Sequence, residues 1–310
     1  LFRLKHSDEM AVVEMGTSGP NEIRPLSLAT EPNIAVITNI GASHLERLQD
    51  LEGVYREKIN ITAGLQEGGL LIVNADDPHL SRVRSTKRYK VMTFGIRRGI
   101  LKPENLKFDE NACASFRIGR VEYHLNVPGI HNVYNALAAI AVGESLRIPK
   151  TEIAKALDAF AATGMRMEIR NAFGFRVVSD CYNANPSSTR MALQTIGNLS
   201  NANHRIAVLG DMLELGTDAS KLHFEIGQMI PENNFDLLLT IGKYSKEIRK
   251  GAISRGLRRE KAVHFETIQE LALFLSEHLG IDDVVLVKGS RGMRLEKLVD
   301  ALMKMEAVGV

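Results

Sequence analysis

The sequence contains few of the residues that mark several large classes of protein. In 310 residues it has no tryptophan and only two cysteines, Cys113 and Cys181. These cysteines lie far apart and form no CxxC pair, which favours a reducing compartment. We therefore expect a cytoplasmic protein without disulfides.

Long apolar runs and an excess of one charge are also missing. The longest apolar runs, such as residues 136–143, fall well short of the ~20 residues that span a bilayer, so membrane insertion is not expected. The 39 basic and 37 acidic residues are mixed along the chain, which disfavours nucleic acid as a partner. A chain that is 45% hydrophobic and 25% charged has the composition of an ordinary globular protein, and its length allows two domains.

Short apolar runs alternate with segments of helical period along most of the chain. Strands are predicted at residues 10–15, 34–40, 70–74, 90–94, 175–179, 205–210, 236–241 and 283–288. Helices are predicted at residues 50–65, 131–146, 151–161, 189–199, 218–230, 244–255, 267–279 and 293–306. This alternation is typical of βαβ units, so the predicted fold class is α/β with a mainly parallel sheet.

Two local patterns refine this organisation. Residues 100–128 alternate apolar and polar side chains at period two, which predicts a β-meander or hairpin insertion. Thr151 is the predicted N-cap of the helix that follows, and we place a domain boundary near residue 163.

Three candidate site residues come from the first half of the chain. Glu14 closes the predicted strand 10–15, where it is either a partly exposed strand-end residue or a Mg²⁺ ligand, because a buried carboxylate needs a cation or a donor. His44 follows the next predicted strand, but lone histidines are more often core or surface residues than ligands. Lys58 lies in a predicted helix, where a lysine usually faces solvent.

Two polar segments stand out beyond residue 128. Asn132 and Asn135 lie three apart near a predicted helix start, where their amides either cap the helix or read the edge of a purine. Asp180, Tyr182 and Asn183 follow a predicted strand in the segment "SDCYNANPSS". They form either a series of Asx turns or a surface for a sugar and a substrate.

Two further polar turns follow predicted strands. The segment "VLGDMLELG" carries Asp211 and Glu214, and the segment "VLVKGSRGMRLE" carries Lys288, Ser290 and Arg291. Polar turns at the carboxyl ends of parallel strands meet at one edge of a sheet, where open α/β sheets bind ligands. The sequence therefore predicts one ligand crevice formed by these turns together.

Taken in order, several motifs resemble those of the Mur ligases. They are "EMG" at 14–16, "TNIGASHLE" at 38–46, "EK" at 57–58, "VNADD" at 73–77, "GIHNVYNALAA" at 129–139, "GMRME" at 164–168, "DCYNANPSS" at 180–188, "LGDMLELG" at 209–216 with His223, and "VKGSRGMRLE" at 287–296. The "DCYNANP" and "KGSRGM" versions favour the branch that adds D-alanyl-D-alanine. Folylpolyglutamate synthases share the outline but match these motifs less well.

The resemblance implies a domain order and a nucleotide site. Residues 1–163 would be a central ATP-binding domain of P-loop type, incomplete here, and residues 164–310 a Rossmann-like ligase domain. ATP would lie between the two. Asp180 and Tyr182 would hold its ribose, Asn132 and Asn135 its adenine, and Arg166 its phosphates.

The resemblance also implies a reaction. Glu14 and His44 would ligate Mg²⁺, and Lys58 would carry a carbamate that serves as a further anionic ligand. A monomeric enzyme of peptidoglycan synthesis would join UDP-N-acetylmuramoyl-tripeptide to D-alanyl-D-alanine through an acyl phosphate. On the C-terminal side, the candidates for substrate contacts are Asn183, Lys288, Ser290 and Arg291.

The sequence departs from the family pattern in one important respect. No phosphate loop of the form GxxGK[ST] occurs in it, so that loop, its strand and the UDP-binding domain are expected to precede Leu1. On this interpretation the chain by itself should not turn over ATP. The alternative is a noncatalytic nucleotide-binding or interaction module derived from the same fold.

Overall fold

The computed structural model describes residues 4–161, 164–172 and 174–304. The chain divides into two compact units. One comprises the chain up to Pro103 together with Tyr134–Lys150, and the other comprises Glu104–Val133 together with the chain from Thr151 onward. The predicted boundary at residue 163 lies outside the described residues and stays a prediction.

The first unit is built on a parallel sheet. Its strands are β1 (Ile34–Ile37), β2 (Gly69–Asn74) and β3 (Tyr89–Phe94), paired in the order β1-β2-β3. Its helices include α1 (Ile23–Thr30), α2 (Leu45–Leu48) and α3 (Leu51–Ile59). One face of the sheet packs Ala35, Ile37, Leu71 and Val73 against Val54 of α3. Alternate strand residues point to one face, so this apolar set forms a single core.

A second, antiparallel sheet confirms the period-two prediction for residues 100–128. Its strands are β4 (Glu104–Phe108), β5 (Cys113–Ile118) and β6 (Val121–Pro128). Phe116 and Tyr123 are buried and stack with ring centroids 5.5 Å apart. The next helices are α4 (Ile130–Ser145) and α5 (Lys150–Asp158). The division between the units falls within α4.

The second unit contains the largest sheet. Its strands are β7 (Glu168–Ala172), β8 (Phe175–Asp180), β9 (Arg205–Gly210), β10 (Leu237–Ile241), β11 (Ala262–Phe265) and β12 (Val284–Lys288). They are ordered β11-β10-β9-β12-β8-β7, and all neighbours are parallel except β7 and β8. The carboxyl ends of β8, β9 and β12 therefore lie side by side.

Helices cover both faces of this sheet. They are α6 (Pro186–Gly197), α7 (Ala219–Glu232), α8 (Ser245–Ser254), α9 (Ile268–His278) and α10 (Glu296–Met303). Apolar residues of α6, α7 and α8 form one core cluster, and those of α9 and α10 form another. Val177 and Val178 are neighbours in β8 but belong to different clusters. A strand buried on both faces reads as the continuous apolar run seen in the sequence.

Local sequence explains where several helices begin. Asn185 caps α6 by accepting from the backbone N–H of Ser188, and Pro186 occupies the first turn. Thr267 and Glu270 form a reciprocal capping box at the start of α9. Helices α7 and α8 can pack closely because Gly227 has no side chain. A Cβ at this position would collide with the carbonyl oxygen of Ile248.

Two local predictions are wrong. Residues 10–15 form no strand, and Met10, Val12 and Glu14 are exposed. A strand requires a hydrogen-bonded neighbour, and among the described residues β1 pairs with β2 alone. Thr151 is not an N-cap, because α5 already begins at Lys150.

Several elements were missed because their sequence signals are weak. Helix α1 is short and β11 has only four residues. Strand β7, "EIRNA", alternates too little to stand out from a loop. The predicted helix 293–306 is present as α10, and its last two residues lie outside the described residues. Among the residues that the structure covers, no helix combines the length and apolar character needed to cross a bilayer.

Two leucines of α9 provide a matched test of the second core. Leu275 is fully buried, whereas Leu273 is 63% exposed on the same helix. Leu275→Ala should lower the free energy of unfolding by about 2–5 kcal/mol, because it removes apolar contacts and leaves a cavity. Leu273→Ala should change it by less than about 0.5 kcal/mol. Urea denaturation followed by circular dichroism measures both, and equal losses would contradict the assignment of this face.

Candidate functional site

An ion pair joins two strand ends of the second unit. Lys288 ends β12 and lies in register with Asp180 at the end of β8. Its Nζ donates to Asp180 Oδ2 at 2.7 Å and to the carbonyl oxygen of Asn183 at 3.1 Å. Lys288 is only 2% exposed, so nearly the whole ammonium is removed from water. Burying a charge this deeply requires such partners.

The second oxygen of Asp180 holds a different segment. Asp180 Oδ1 accepts from the backbone N–H of Met167 at 3.2 Å, and the N–H of Tyr182 donates to the carbonyl of Met165 at 3.2 Å. The segment around residues 165–167 is thereby fixed beside the end of β8. Arg166 lies within that segment.

Arg166 and Tyr182 form an exposed stacked pair. The guanidinium carbon of Arg166 lies 4.1 Å from the centroid of the Tyr182 ring, and Tyr182 is 45% exposed. The contact is a cation–π interaction. It leaves the charge of Arg166 accessible to solvent and to an anionic ligand. Sequence reasoning placed both residues at a nucleotide site, and the structure brings them together with Asp180.

The remaining residues of the loop after β8 serve partly local roles. Asn183 is exposed, and its Oδ1 accepts from the backbone N–H of Ala184 at 2.8 Å. Asn185 caps α6, as described above. The two asparagines therefore make local contacts, Asn183 with the next residue and Asn185 as a helix cap, whereas Asp180 and Tyr182 contact other elements.

Ser290 and Arg291 differ sharply in exposure. Ser290 is buried, and its Oγ donates to the carbonyl of Ala184 at 3.2 Å and accepts from the N–H of Leu213 at 2.9 Å. Arg291 is exposed and contacts Met165 Sδ at 3.3 Å and Glu296 at 3.7 Å. Ser290 thus links three strand-end loops, and Arg291 retains donors for a ligand.

The loop after β9 is held by groups that sequence reasoning did not assign. Asp211 is buried and accepts from the backbone N–H groups of Lys243, Tyr244 and Ser245 at 2.7–2.9 Å. His223 is fully buried; its Nε2 accepts from the N–H of Met212, and its Nδ1 lies 2.6 Å from the carbonyl of Ala219. This pattern requires the neutral ring, and burial lowers the pKa of His223 accordingly.

His131 is a further group that sequence reasoning left without a role, although it lies in the quoted segment "GIHNVYNALAA". Its Nδ1 is buried and has no hydrogen-bond partner among the described residues. Burial lowers the pKa of His131, the charge of Asp180 raises it, and that of Lys288 lowers it. The ring therefore lies within electrostatic reach of the Asp180–Lys288 pair.

The two asparagines of α4 have different surroundings. Asn132 Nδ2 donates to the carbonyl of Pro128 at 2.8 Å, a contact at the start of its own helix. Asn135 is exposed. The helix-start interpretation accounts for this contact of Asn132, and a role of either amide toward a purine stays a prediction.

In the first unit, Lys58 contacts the loop after β1. Its Nζ donates to the carbonyl of Asn39 at 3.0 Å, and the side chain is half-buried. Burial lowers the pKa of Lys58, and the negative charge of Asp77 opposes that shift. His44 lies on the same loop, half-buried, with φ of 54° at the start of α2. The structure thus places Lys58 against the loop that carries His44.

Glu14 does not lie where the sequence predicted. The expected buried strand is absent, and Glu14 is exposed in an irregular segment. Glu14 was a candidate Mg²⁺ ligand because a buried carboxylate needs a cation or a donor. That argument does not apply to an exposed residue. Within the described ranges, no group of three or more His, Cys, Asp or Glu side chains is arranged to hold a metal ion.

Three carboxylates of the first unit hold its loops. Glu57 is buried and accepts from the N–H groups of Asn21, Glu22 and Ile23 at the start of α1. Asp77 accepts from Ile40 N–H at 2.7 Å, which ties the loop after β2 to the loop after β1. Asp76 accepts from the N–H groups of residues 96–98 after β3. In the sequence these carboxylates belong to the motifs "EK" and "VNADD", which do not by themselves indicate that the side chains bind backbone N–H groups of other loops.

The hydroxyl of Tyr134 connects α4 to this network. It donates to Asp76 Oδ2 at 3.0 Å. Burial, followed by the hydrogen bond and charge of Asp76, raises the pKa of Tyr134 from 10.0 to about 12. A phenol whose pKa is higher in the folded state than in the unfolded state contributes its full stabilisation at pH values below its unfolded-state pKa. This contribution is lost as the pH rises through the folded-state pKa.

We expect one tyrosine to titrate near pH 12 by absorbance at 295 nm, and we expect Tyr134→Phe to remove that step. The difference in unfolding free energy between wild type and Tyr134→Phe should be constant below about pH 10 and should shrink as the pH rises toward 12. The control Tyr89→Phe, a half-buried phenol of β3, should retain the step. Loss of the step in the control alone would contradict the assignment.

The chain matches known families over most of its length. Residues 1–143 match the model described as the Mur ligase middle domain, and residues 165–291 match the Mur ligase, glutamate ligase domain. Relatives called UDP-N-acetylmuramoyl-tripeptide--D-alanyl-D-alanine ligase are 36% identical in Bacillus subtilis and 31% identical in Escherichia coli. Each alignment covers 98% of this chain, with 66% and 67% of the respective relative.

A solved structure supports the same relationship. A crystal structure of MurF from Acinetobacter baumannii superposes with a TM-score of 0.88 at 27% identity, covering 97% of this chain and 66% of that chain. The chain spans about two thirds (66%) of the length of the first relatives that it matches. Sequence motifs, fold and both domain matches agree, and the chain belongs to the Mur ligase family.

Proposed function

We propose that the protein carrying this sequence is an ATP-dependent ligase that joins D-alanyl-D-alanine to UDP-N-acetylmuramoyl-tripeptide in peptidoglycan synthesis. The observation that carries this proposal is the cluster at the end of β8, where Asp180, Tyr182 and Arg166 present an acid, a ring and an exposed cation together. The names of the 36% and 31% identical relatives support the substrates.

We assign the nucleotide to residues with complementary groups. Asp180 accepts from the ribose hydroxyls, Tyr182 packs against the sugar, and Arg166 binds phosphate oxygens. Arg166 suits this role because a guanidinium offers several donors in a planar arrangement. Asn132 and Asn135 are assigned to the adenine, with amides that both donate and accept.

We also propose how the two parts of the chain divide the work. The unit with the parallel sheet β1-β2-β3 acts as an ATP-binding domain of P-loop type, and the chain from about residue 164 acts as a Rossmann-like ligase domain. The separate matches to a middle domain and a glutamate ligase domain support this division.

The residues around Lys58 fit a metal site in part. His44 lies on the loop that Lys58 contacts, whereas Glu14 lies in an exposed segment and would have to be recruited. Mg²⁺ prefers oxygen ligands, which an unmodified lysine does not supply. A lowered pKa favours the neutral amine, which can react with CO₂ to give an anionic carbamate and a proton. Bound Mg²⁺ would offset negative charge on the transferring phosphoryl group.

The reaction follows from these roles. A carboxylate oxygen of the tripeptide attacks the γ-phosphorus of ATP, and ADP leaves to give an acyl phosphate. The amine of D-alanyl-D-alanine then attacks the acyl carbon and loses a proton, and phosphate leaves as the amide forms. Arg166 stabilises charge on the phosphoryl oxygens. Asn183 and Arg291 are assigned to the dipeptide side, with Arg291 as the exposed cation suited to its carboxylate, while the buried Ser290 holds the loops around them.

The activity test is phosphate release from Mg-ATP in the presence of both substrates. The complete wild-type protein that carries this sequence should release phosphate only when the tripeptide nucleotide and the dipeptide are both present. Lys58→Ala should lower the rate by about 100-fold or more, because it removes an anion that organises charge at the phosphoryl group. Acetate or formate should restore part of the rate by filling the vacated space.

Lys155→Ala is the matched control, since Lys155 is an exposed lysine of α5 that pairs with Glu152. It should retain the wild-type rate. If Lys58→Ala releases phosphate at the wild-type rate, Lys58 has no role in catalysis and is an ordinary helix lysine. ATP binding without phosphate release in the wild type would instead favour a noncatalytic nucleotide-binding module.

Carbamylation has a direct spectroscopic test. In ¹³C-labelled bicarbonate, wild-type protein should show a carbamate carbonyl resonance near neutral pH that Lys58→Arg lacks. Because burial lowers the pKa of Lys58, its carbamate should persist at a lower pH than that of exposed lysines. A spectrum that is identical in wild type and variant, with the wild type fully active, would exclude the carbamate.

A further inference from the structure

We propose that Lys288 is a positioning residue, which holds Asp180 so that its two free lone pairs face the hydroxyls of a nucleotide ribose. The inference rests on the proposed function, because it takes Asp180 as the ribose acceptor. It replaces the expectation from sequence that Lys288 contacts the dipeptide. The role is indirect, since Lys288 acts on the ligand through Asp180.

The burial of Lys288 leaves it little capacity for a substrate. An ammonium has three protons, and two of them are donated to Asp180 Oδ2 and to the carbonyl of Asn183. The side chain of Lys288 is 1% exposed, whereas that of Asp180 is 13% exposed. A ligand that arrives from solvent can therefore reach the carboxylate but not the ammonium.

The remaining acceptor capacity of Asp180 matches a diol. A carboxylate offers about four lone-pair positions, two on each oxygen. Lys288 occupies one on Oδ2 and the N–H of Met167 occupies one on Oδ1. One position remains on each oxygen, which suits two neighbouring hydroxyl donors such as the 2′ and 3′ hydroxyls of ribose.

The surroundings hold the acid in place. Lys288 and Asp180 are held at fixed spacing by the parallel register of β12 and β8. Arg166 is engaged with the ring of Tyr182 and does not pair with Asp180 in this structure. Burial lowers the pKa of the nearby His131, and Lys288 is the buried cation that pairs with this carboxylate. Removing Lys288 would remove the contact that fixes Asp180 Oδ2 and leave the carboxylate freer to rotate.

The test compares the affinities of ATP and 2′,3′-dideoxy-ATP by calorimetry, with wild type and Lys288→Met. Wild type should prefer ATP by about 10-fold or more, because hydrogen bonds to a charged acceptor distinguish the two nucleotides. Lys288→Met should bind ATP about as weakly as it binds the dideoxy nucleotide, whose own affinity should stay close to the wild-type value. In the ligase assay, the KM for ATP should rise while the KM for D-alanyl-D-alanine stays unchanged.

The matched control is Lys246→Met, which removes a lysine of an exposed ion pair with Glu266 at 2.9 Å. It should keep the preference for ATP. If Lys288→Met does not fold, as judged by circular dichroism, the double variant Asp180→Asn with Lys288→Met removes both charges. That double variant should fold and show no preference between the nucleotides.

Each other outcome overturns the inference. A Lys288→Met protein that keeps the preference shows that Asp180 needs no positioning. Equal weakening of both nucleotides shows a general structural role, and a raised KM for the dipeptide alone restores the substrate role. Wild-type protein that binds ATP without preference removes Asp180 from the ribose site while leaving the proposed activity intact. Wild-type protein that binds neither nucleotide overturns the proposed function as well.

Discussion

The ion pair between Lys288 and Asp180 is the contact on which the candidate site depends. It lies at the point where β8 and β12 end side by side, and its lysine is almost completely removed from water, whereas the Asp180 side chain is 13% exposed. Such a pair is expensive to bury and is stable only when further hydrogen bonds satisfy both partners. The carbonyl of Asn183 and the N–H of Met167 provide them. The loop after β8 and the segment that carries Arg166 are thereby fixed relative to the same carboxylate.

Buried carboxylates that hold distant backbone segments also occur elsewhere in both units. Buried carboxylates accept several backbone N–H groups from a distant loop, as Glu57 does for the start of α1 and Asp211 does for the start of α8. Asp76 and Asp77 connect loops of the first sheet. These bonds satisfy backbone N–H groups at loops and at helix starts. Several loops of both units are therefore tied by hydrogen bonds to residues distant in the chain.

This organisation separates residues that hold the site from residues that can act in it. Ser290 and Lys288 use their polar atoms within the protein and are buried. Arg166, Tyr182 and Arg291 are exposed and keep groups available for a ligand. Apart from Arg166, which precedes β7, these residues lie at or just after strand ends, and both sets have the residue types expected of ligand contacts. Their difference lies in burial, which a motif does not encode.

The sequence by itself determined the α/β class, the antiparallel insertion at 100–128, and the convergence of polar turns after β8, β9 and β12. These features depend on local periodicity and on the rule that parallel strands end at one edge. Tertiary structure decided what the candidate residues contact, because partners such as Asn39 for Lys58 and Asp180 for Lys288 are distant in the chain. It also decided against a strand at 10–15, since an apolar run becomes a strand only where a neighbour satisfies its backbone.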